Sequence, residues 1–142
     1  MSRVVEIARG WIGTPYRHQA SCNGAGTDCL GLIRGVWRDL LGPEPAQVPA
    51  YSMDWSEPQG EERLWAAAMA HLVPRAGRAQ QAGDVVLFRM RSGAVAKHLG
   101  IVSVPHESFI HAYTRRGVIE SSMSQPWARR IVARFAFPDR SG

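Results

Sequence analysis

The sequence predicts an α+β domain in which helices pack on one side of an antiparallel sheet. Two observations carry that expectation. Apolar residues recur at helical spacing through three segments before Pro74, and five short β-rich segments separated by turns follow it. Helices first and strands afterwards is the order of an α+β chain, whereas alternation would indicate a parallel sheet.

The first helical segment is "VVEIARGWIG" (4–13), with Val4, Ile7, Ala8, Trp11 and Ile12 on one face. Gly13 can end it in a left-handed conformation, and Pro15 prevents its continuation. "YRHQASCNGAG" (16–26) is a polar, glycine-bearing loop. Thr27 or Asp28 can cap the next helix, which runs to Leu41 with Leu30, Ile33, Trp37 and Leu40 inward. Gly42 and Pro43 stop it.

"PEPAQVPAYSMDWSEPQG" (43–60) carries four prolines and reads as a surface excursion; its Trp55 is a local packing residue or a docking anchor. "EERLWAAAMAHLV" (61–73) is a third helix, acidic at its start and closed by Pro74. The strands are 84–90, 96–102, 108–114, 117–121 and 130–137, read as a meander. At 142 residues, with no internal repeat or long linker, the chain reads as one domain, 1–142.

Apolar residues make up 45% of the chain, and no stretch reaches the ~20 apolar residues of a membrane span. The N-terminus lacks the uninterrupted apolar region of a secretory signal, so synthesis in the cytoplasm is expected. The formal charge is +5, from sixteen Arg and the single Lys97 against twelve acids. The arginines are scattered, no helix carries a basic stripe, and direct nucleic-acid binding is not expected. Cys22 and Cys29, His98 and His111 lack the short spacings of structural zinc, so neither a metal nor another cofactor is expected; a zinc-bound module is the minor alternative.

Cys29 opens a helix. That position favours thiolate through the helix dipole, while Asp28 opposes it unless its carboxylate is occupied in capping. A base must come from elsewhere. His71 reads as a helix-surface residue, His106 as a turn residue, and His18 as a possible lining residue in the loop before Cys29. His98 and His111 each sit mid-strand among apolar neighbours.

A hairpin turn centred between Val104 and Pro105 pairs residues whose numbers sum to 209, which sets His98 opposite His111. A slip of the loop makes them diagonal neighbours, still close. Two facing imidazoles and a helix-start cysteine suit a relay in which Cys29 attacks, His98 takes its proton and His111 orients the imidazole. Two satisfied core histidines and a packed cysteine are the plainer alternative.

"GTPYRHQASCNGAGTDCLGLIRGVW" resembles the front half of the NlpC/P60 cysteine peptidases, and "AGDVVLF", "KHLGIV", "FIHAY" and "PWARRIVARFAF" resemble their later blocks in order. The resemblance spans roughly residues 3–137. It implies a compact papain-like fold and hydrolysis of bacterial peptidoglycan stem peptides, commonly between D-glutamate and the diamino acid. Carried onto matching positions, it implies Cys29 as nucleophile, His98 as base and His111 as the orienting residue. Tyr16 corresponds to the tyrosine near the oxyanion site, and Asp28 to the acidic residue that receives the free amino end of the stem.

Leu30 stands where many members carry serine after the cysteine, which leaves the stem preference open. Arg17 and Arg115 could meet substrate carboxylates or be solvated surface charges, and Cys22 reads as a reduced loop thiol. "DCLGL" and the closing block resemble more closely the peptidases of phage tails and gene transfer agents, whose partners are tail-tip or baseplate hub proteins. On that resemblance the enzyme would be carried in a particle tail and act in the target-cell periplasm. The alternatives are a structural baseplate module with little activity and a cysteine acyl-hydrolase on a non-murein substrate.

Overall fold

The structure, a computed structural model, describes residues 2–45 and 62–138. Most of the proline-rich excursion, with Trp55, lies outside the described residues.

Helix α1 (Arg3–Arg9) starts at Ser2, whose hydroxyl accepts the Val5 amide at 3.2 Å. It is shorter than the 4–13 periodicity suggests. Beyond Arg9 the backbone turns away, reaches φ +95° at Gly13, and pairs with a distant strand: Gly13 N–H donates to the Val118 carbonyl and Val118 N–H to that of Thr14. Val5, Ala8 and Trp11 are buried, whereas Ile12, expected inside, is 44% exposed because the helix has ended before it.

The polar loop contains a small hairpin, β1 (Ser21–Cys22) with β2 (Gly26–Thr27). Helix α2 (Cys29–Leu41) follows, capped by Asp28 and stopped at Gly42. Its buried face is Leu32, Ile33, Val36, Trp37 and Leu41; Leu30 and Leu40, expected inward, are half-buried at its margins. A Cβ at Gly31 would run into the Ala20 carbonyl and the Thr27 hydroxyl, so glycine there lets the loop lie against the helix. Helix α3 (Arg63–His71) is short because Leu72 is already extended, leading into strand β3 (Val73–Pro74).

Strands β4 (Val85–Phe88), β5 (His98–Val104), β6 (Ser108–Tyr113) and β7 (Gly117–Ser122) form the expected meander. After helix α4 (Gln125–Ala128), strand β8 (Ile131–Ala136) does not extend it. It returns to the other side of β4, and the antiparallel order is β3-β8-β4-β5-β6-β7. The α+β expectation therefore holds, with the last strand inserted between β3 and β4.

The sheet has two apolar faces. Val85, Leu87, Leu99, Ile101, Ile110 and Phe135 pack with residues of α1, α2 and α3. Val86, Phe88, Val102, Phe109 and Met123 form a second core on the opposite face. Each fully buried Val, Leu or Phe contributes about 1.5–3 kcal/mol, so the second face needs its own cover. Trp127 of α4 packs there, and the helices do not all lie on one side.

Candidate active site

Construction begins at Asp28. Its Oδ1 accepts the Gly31 amide and its Oδ2 the Gln19 amide, each at 2.7 Å, and the residue is 2% exposed. One carboxylate thus starts α2 and fastens the preceding loop to it. The Ser21 hydroxyl adds a bond to the Gly31 carbonyl at 2.6 Å. Tyr16 and Thr27 form a parallel bridge, which holds the tyrosine beside the start of the helix.

At the first residue of α2, the Cys29 thiol lies 3.6 Å from the Lys97 carbonyl and also bonds the Leu99 backbone. These two residues flank His98, so the thiol is seated against the strand on both sides of that histidine. Burial pushes the thiol up to about 12, and the Asp28 charge adds to it; main-chain hydrogen bonds pull the other way and lose. Burial likewise pushes Tyr16 up to about 12, ahead of the charges of Cys29 and Asp28, while a hydrogen bond with the Thr114 side chain opposes the rise. Its hydroxyl stays protonated and can donate.

Strands β5 and β6 pair Ile101 with Ile110 and Val102 with Phe109, a sum of 211 rather than 209. A bulge between Val102 and Val104, with His106 at φ +65° in the turn, shifts the register. Carried along the strands, it sets His98 across from Tyr113, and His98 and His111 become diagonal neighbours on one face. They still meet: His98 Nε2 stands 2.8 Å from His111 Nδ1, and His111 Nε2 stands 2.9 Å from the Ser121 hydroxyl. Burial lowers both imidazoles, His98 to about 3, with the neighbouring His111 as second cause, and His111 to about 4. Both are neutral at pH 7.

Trp127 covers this pair. Its ring centroid lies 5.7 Å from that of His98 and 5.2 Å from that of His111, and also contacts Phe88, Phe109 and Tyr113. Arg130 stacks on it at 5.6 Å, a cation on the face of the indole.

The sequence model of the NlpC/P60 family matches residues 13–135, almost the whole span that builds this site. The chain belongs to the NlpC/P60 family. It is 31% identical over 140 residues to the murein DD-endopeptidase MepS/murein LD-carboxypeptidase of Escherichia coli K12, covering 94% of this chain and 64% of that relative. It is 29% identical over 131 residues to the probable endopeptidase NlpC of the same organism, covering 87% and 73%. Among solved structures, the NlpC/p60 domain of the peptidoglycan hydrolase SagA aligns with a TM-score of 0.64 at 22% identity, over 94% of this chain and 96% of that one. The chain thus spans less than two thirds of the length of the E. coli MepS relative.

In this NlpC/P60 chain two further candidates, His18 and Asp28, meet at the capped loop before Cys29. His18 approaches Asp28 Oδ2 at 3.8 Å and Gln19 Nε2 at 3.3 Å, so it lies against the capped loop. Arg17 is exposed and lays its aliphatic stem over Gly26 of the hairpin. Leu30 packs on the helix-side core. Asp28 is buried with each oxygen already holding a backbone amide, which makes it first a structural anchor. His71, His106, Arg115 and the free thiol of Cys22 are exposed. Among the described residues no three His, Cys, Asp or Glu side chains are grouped to hold a metal ion, and no helix is long and apolar enough to cross a membrane.

Two residues escaped the sequence reading. Ser121 was hidden in "VIESS", although alternation along β7 places it on the histidine face. Trp127 lies in "PWARRIVARFAF", where a large aromatic directly after a helix-starting proline is the available signal.

Proposed function

We propose that this chain is a peptidoglycan endopeptidase that cuts a stem-peptide bond, D-glutamate to diamino acid, through Cys29, His98 and His111. The observation that carries the reading is the unbroken chain from His98 Nε2 through His111 to Ser121, beside a helix-start thiol held against residues 97 and 99.

His98 Nε2 is taken by His111, which leaves Nδ1 to receive the thiol proton. With a thiol near 12 and a neutral imidazole, the resting pair is uncharged, and proton transfer accompanies attack. Sulfur bonds the scissile carbonyl carbon, and its proton moves to His98. The Cys29 main-chain N–H and the Tyr16 hydroxyl stabilise the oxyanion. The imidazolium then protonates the leaving amine as the C–N bond breaks, and water, deprotonated by His98, releases the acid from the thioester. Asp28, with His18 beside it at 3.8 Å, is the group to which the resemblance assigns the free amino end of the stem.

The setting we propose is the tail tip or baseplate of a phage-like particle or gene transfer agent, where hub proteins would carry the enzyme to the murein of a target cell. The resemblance of "DCLGL" and the closing strand to such peptidases supports it. The protonated resting thiol favours one second reading, a tail module with this fold and little activity.

The test is digestion of diaminopimelate-type murein by the purified protein, with Cys29→Ala as control and products read by mass spectrometry. A Cys29-dependent cut between D-glutamate and the diamino acid upholds the reading. A cut at a cross-link corrects the bond, and no cut by protein that still folds favours the structural module.

A further inference from the structure

His98, His111 and Ser121 form a line of two hydrogen bonds that can run in either of two directions. Both imidazoles are neutral, so each carries one N–H, and choosing one proton position settles the others. In the first direction His98 Nε2–H donates to His111 Nδ1, and His111 Nε2–H donates to Ser121 Oγ. His98 Nδ1 then holds a lone pair. In the second, Ser121 Oγ–H donates to His111 Nε2, His111 Nδ1–H donates to His98 Nε2, and His98 Nδ1 is already protonated. Only the first leaves His98 able to accept a proton from a thiol.

We propose that Ser121 is a positioning residue that sets the tautomers of both histidines, by accepting from His111 Nε2 at the far end of the line. This rests on the proposed role of His98 as base.

One observation favours the accepting direction, and two leave Ser121 as the group that sets it. Ser121 lies on an edge strand and is half-buried, so its own hydroxyl hydrogen can go to solvent while a lone pair takes the His111 proton. Around His111 the packed groups are the rings of Phe109, Tyr113, Trp127 and His98, with centroids between 4.4 and 5.3 Å. Glu120, the nearest carboxylate along β7, is on the opposite side of the strand, paired with Arg9 at 3.0 Å and near Ser108. The direction is therefore decided at the Ser121 end and passed through two rings to His98 Nδ1.

The experiment is nitrogen-15 NMR of histidine-labelled protein in a Cys29→Ala background, which reads tautomers whether or not murein is cut. The parent should show both His98 and His111 protonated at Nε2 and bare at Nδ1. Ser121→Ala should populate the reverse tautomers, and Ser121→Asp, which when ionised can only accept, should restore the parental pattern. With Cys29 present, Ser121→Ala should lower kcat about 10- to 100-fold with little change in KM, as removal of a partner that orients a histidine does elsewhere, and Ser121→Asp should recover it. A proton on His98 Nδ1 in the parent overturns the proposal, as does a Ser121→Ala spectrum identical to it. The parental spectrum decides the direction even where a variant does not fold. Loss of hydrolysis with the expected tautomers would reject the enzymatic reading and leave the Ser121 assignment standing.

Discussion

Asp28 holds in place the helix on which Cys29 sits, and its charge opposes ionisation of that thiol. The carboxylate accepts two amides at 2.7 Å and is the second cause, after burial, of the raised thiol pKa. The helix start and the nucleophile therefore make opposite demands on one residue.

Asp28→Asn should separate them. It removes the charge and one of the two amide acceptors, leaving one buried N–H without its partner, so stability should fall by about 1–3 kcal/mol, while the Cys29 thiol titrates lower. Urea unfolding checks the first effect, and the pH dependence of Cys29 alkylation in a Cys22→Ser background checks the second. An unchanged alkylation profile would mean that burial alone holds the thiol up.

The histidine pair makes the fold sensitive to acid. In the unfolded chain a histidine titrates near the ordinary value of 6.5, whereas His98 and His111 are lowered to about 3 and about 4. Between those values and 6.5 the unfolded state binds protons that the folded state does not. Stability from this source is present above pH 6.5 and is lost as pH falls toward 4. Urea midpoints at pH 7 and pH 4.5 should differ more for the parent than for His111→Gln, which keeps a polar side chain without a titrating ring.

Trp127 keeps water from both imidazoles. Trp127→Ala should cost about 2 kcal/mol, less than loss of a fully buried tryptophan because the residue is half-buried. It should also raise the titration midpoints of His98 and His111 toward 6.5, read by proton NMR of the ring resonances. Trp127→Phe should fall between. Midpoints that stay low in Trp127→Ala would assign the dryness to Phe88, Phe109 and Tyr113 instead.

Local patterns were legible from residues alone where the interaction is itself local. The Asp28 cap, the stop at Gly42 and the mid-strand place of His111 depend on neighbours within a few positions, and those expectations match the structure, whereas His98, expected mid-strand, is the first residue of β5. The end of α1 was misread because Gly13 and Thr14 are drawn off by Val118, more than a hundred residues away. The 209 register was misread because a bulge and turn geometry set it, and neither has a period that a sequence reveals.

The sequence by itself determined the order of helices and strands, the cysteine at a capped helix start, and a histidine in each of two successive strands. These follow from periods of 3.6 and 2 and from capping chemistry, which act over one or two turns of chain. Only the tertiary structure decided that the histidines meet diagonally, that Ser121 ends their hydrogen-bond line, that Trp127 covers it, and that β8 inserts beside β4. Those are contacts between segments far apart in the chain, selected by which packing buries the second face of the sheet and satisfies its polar atoms together, and no local preference encodes that choice.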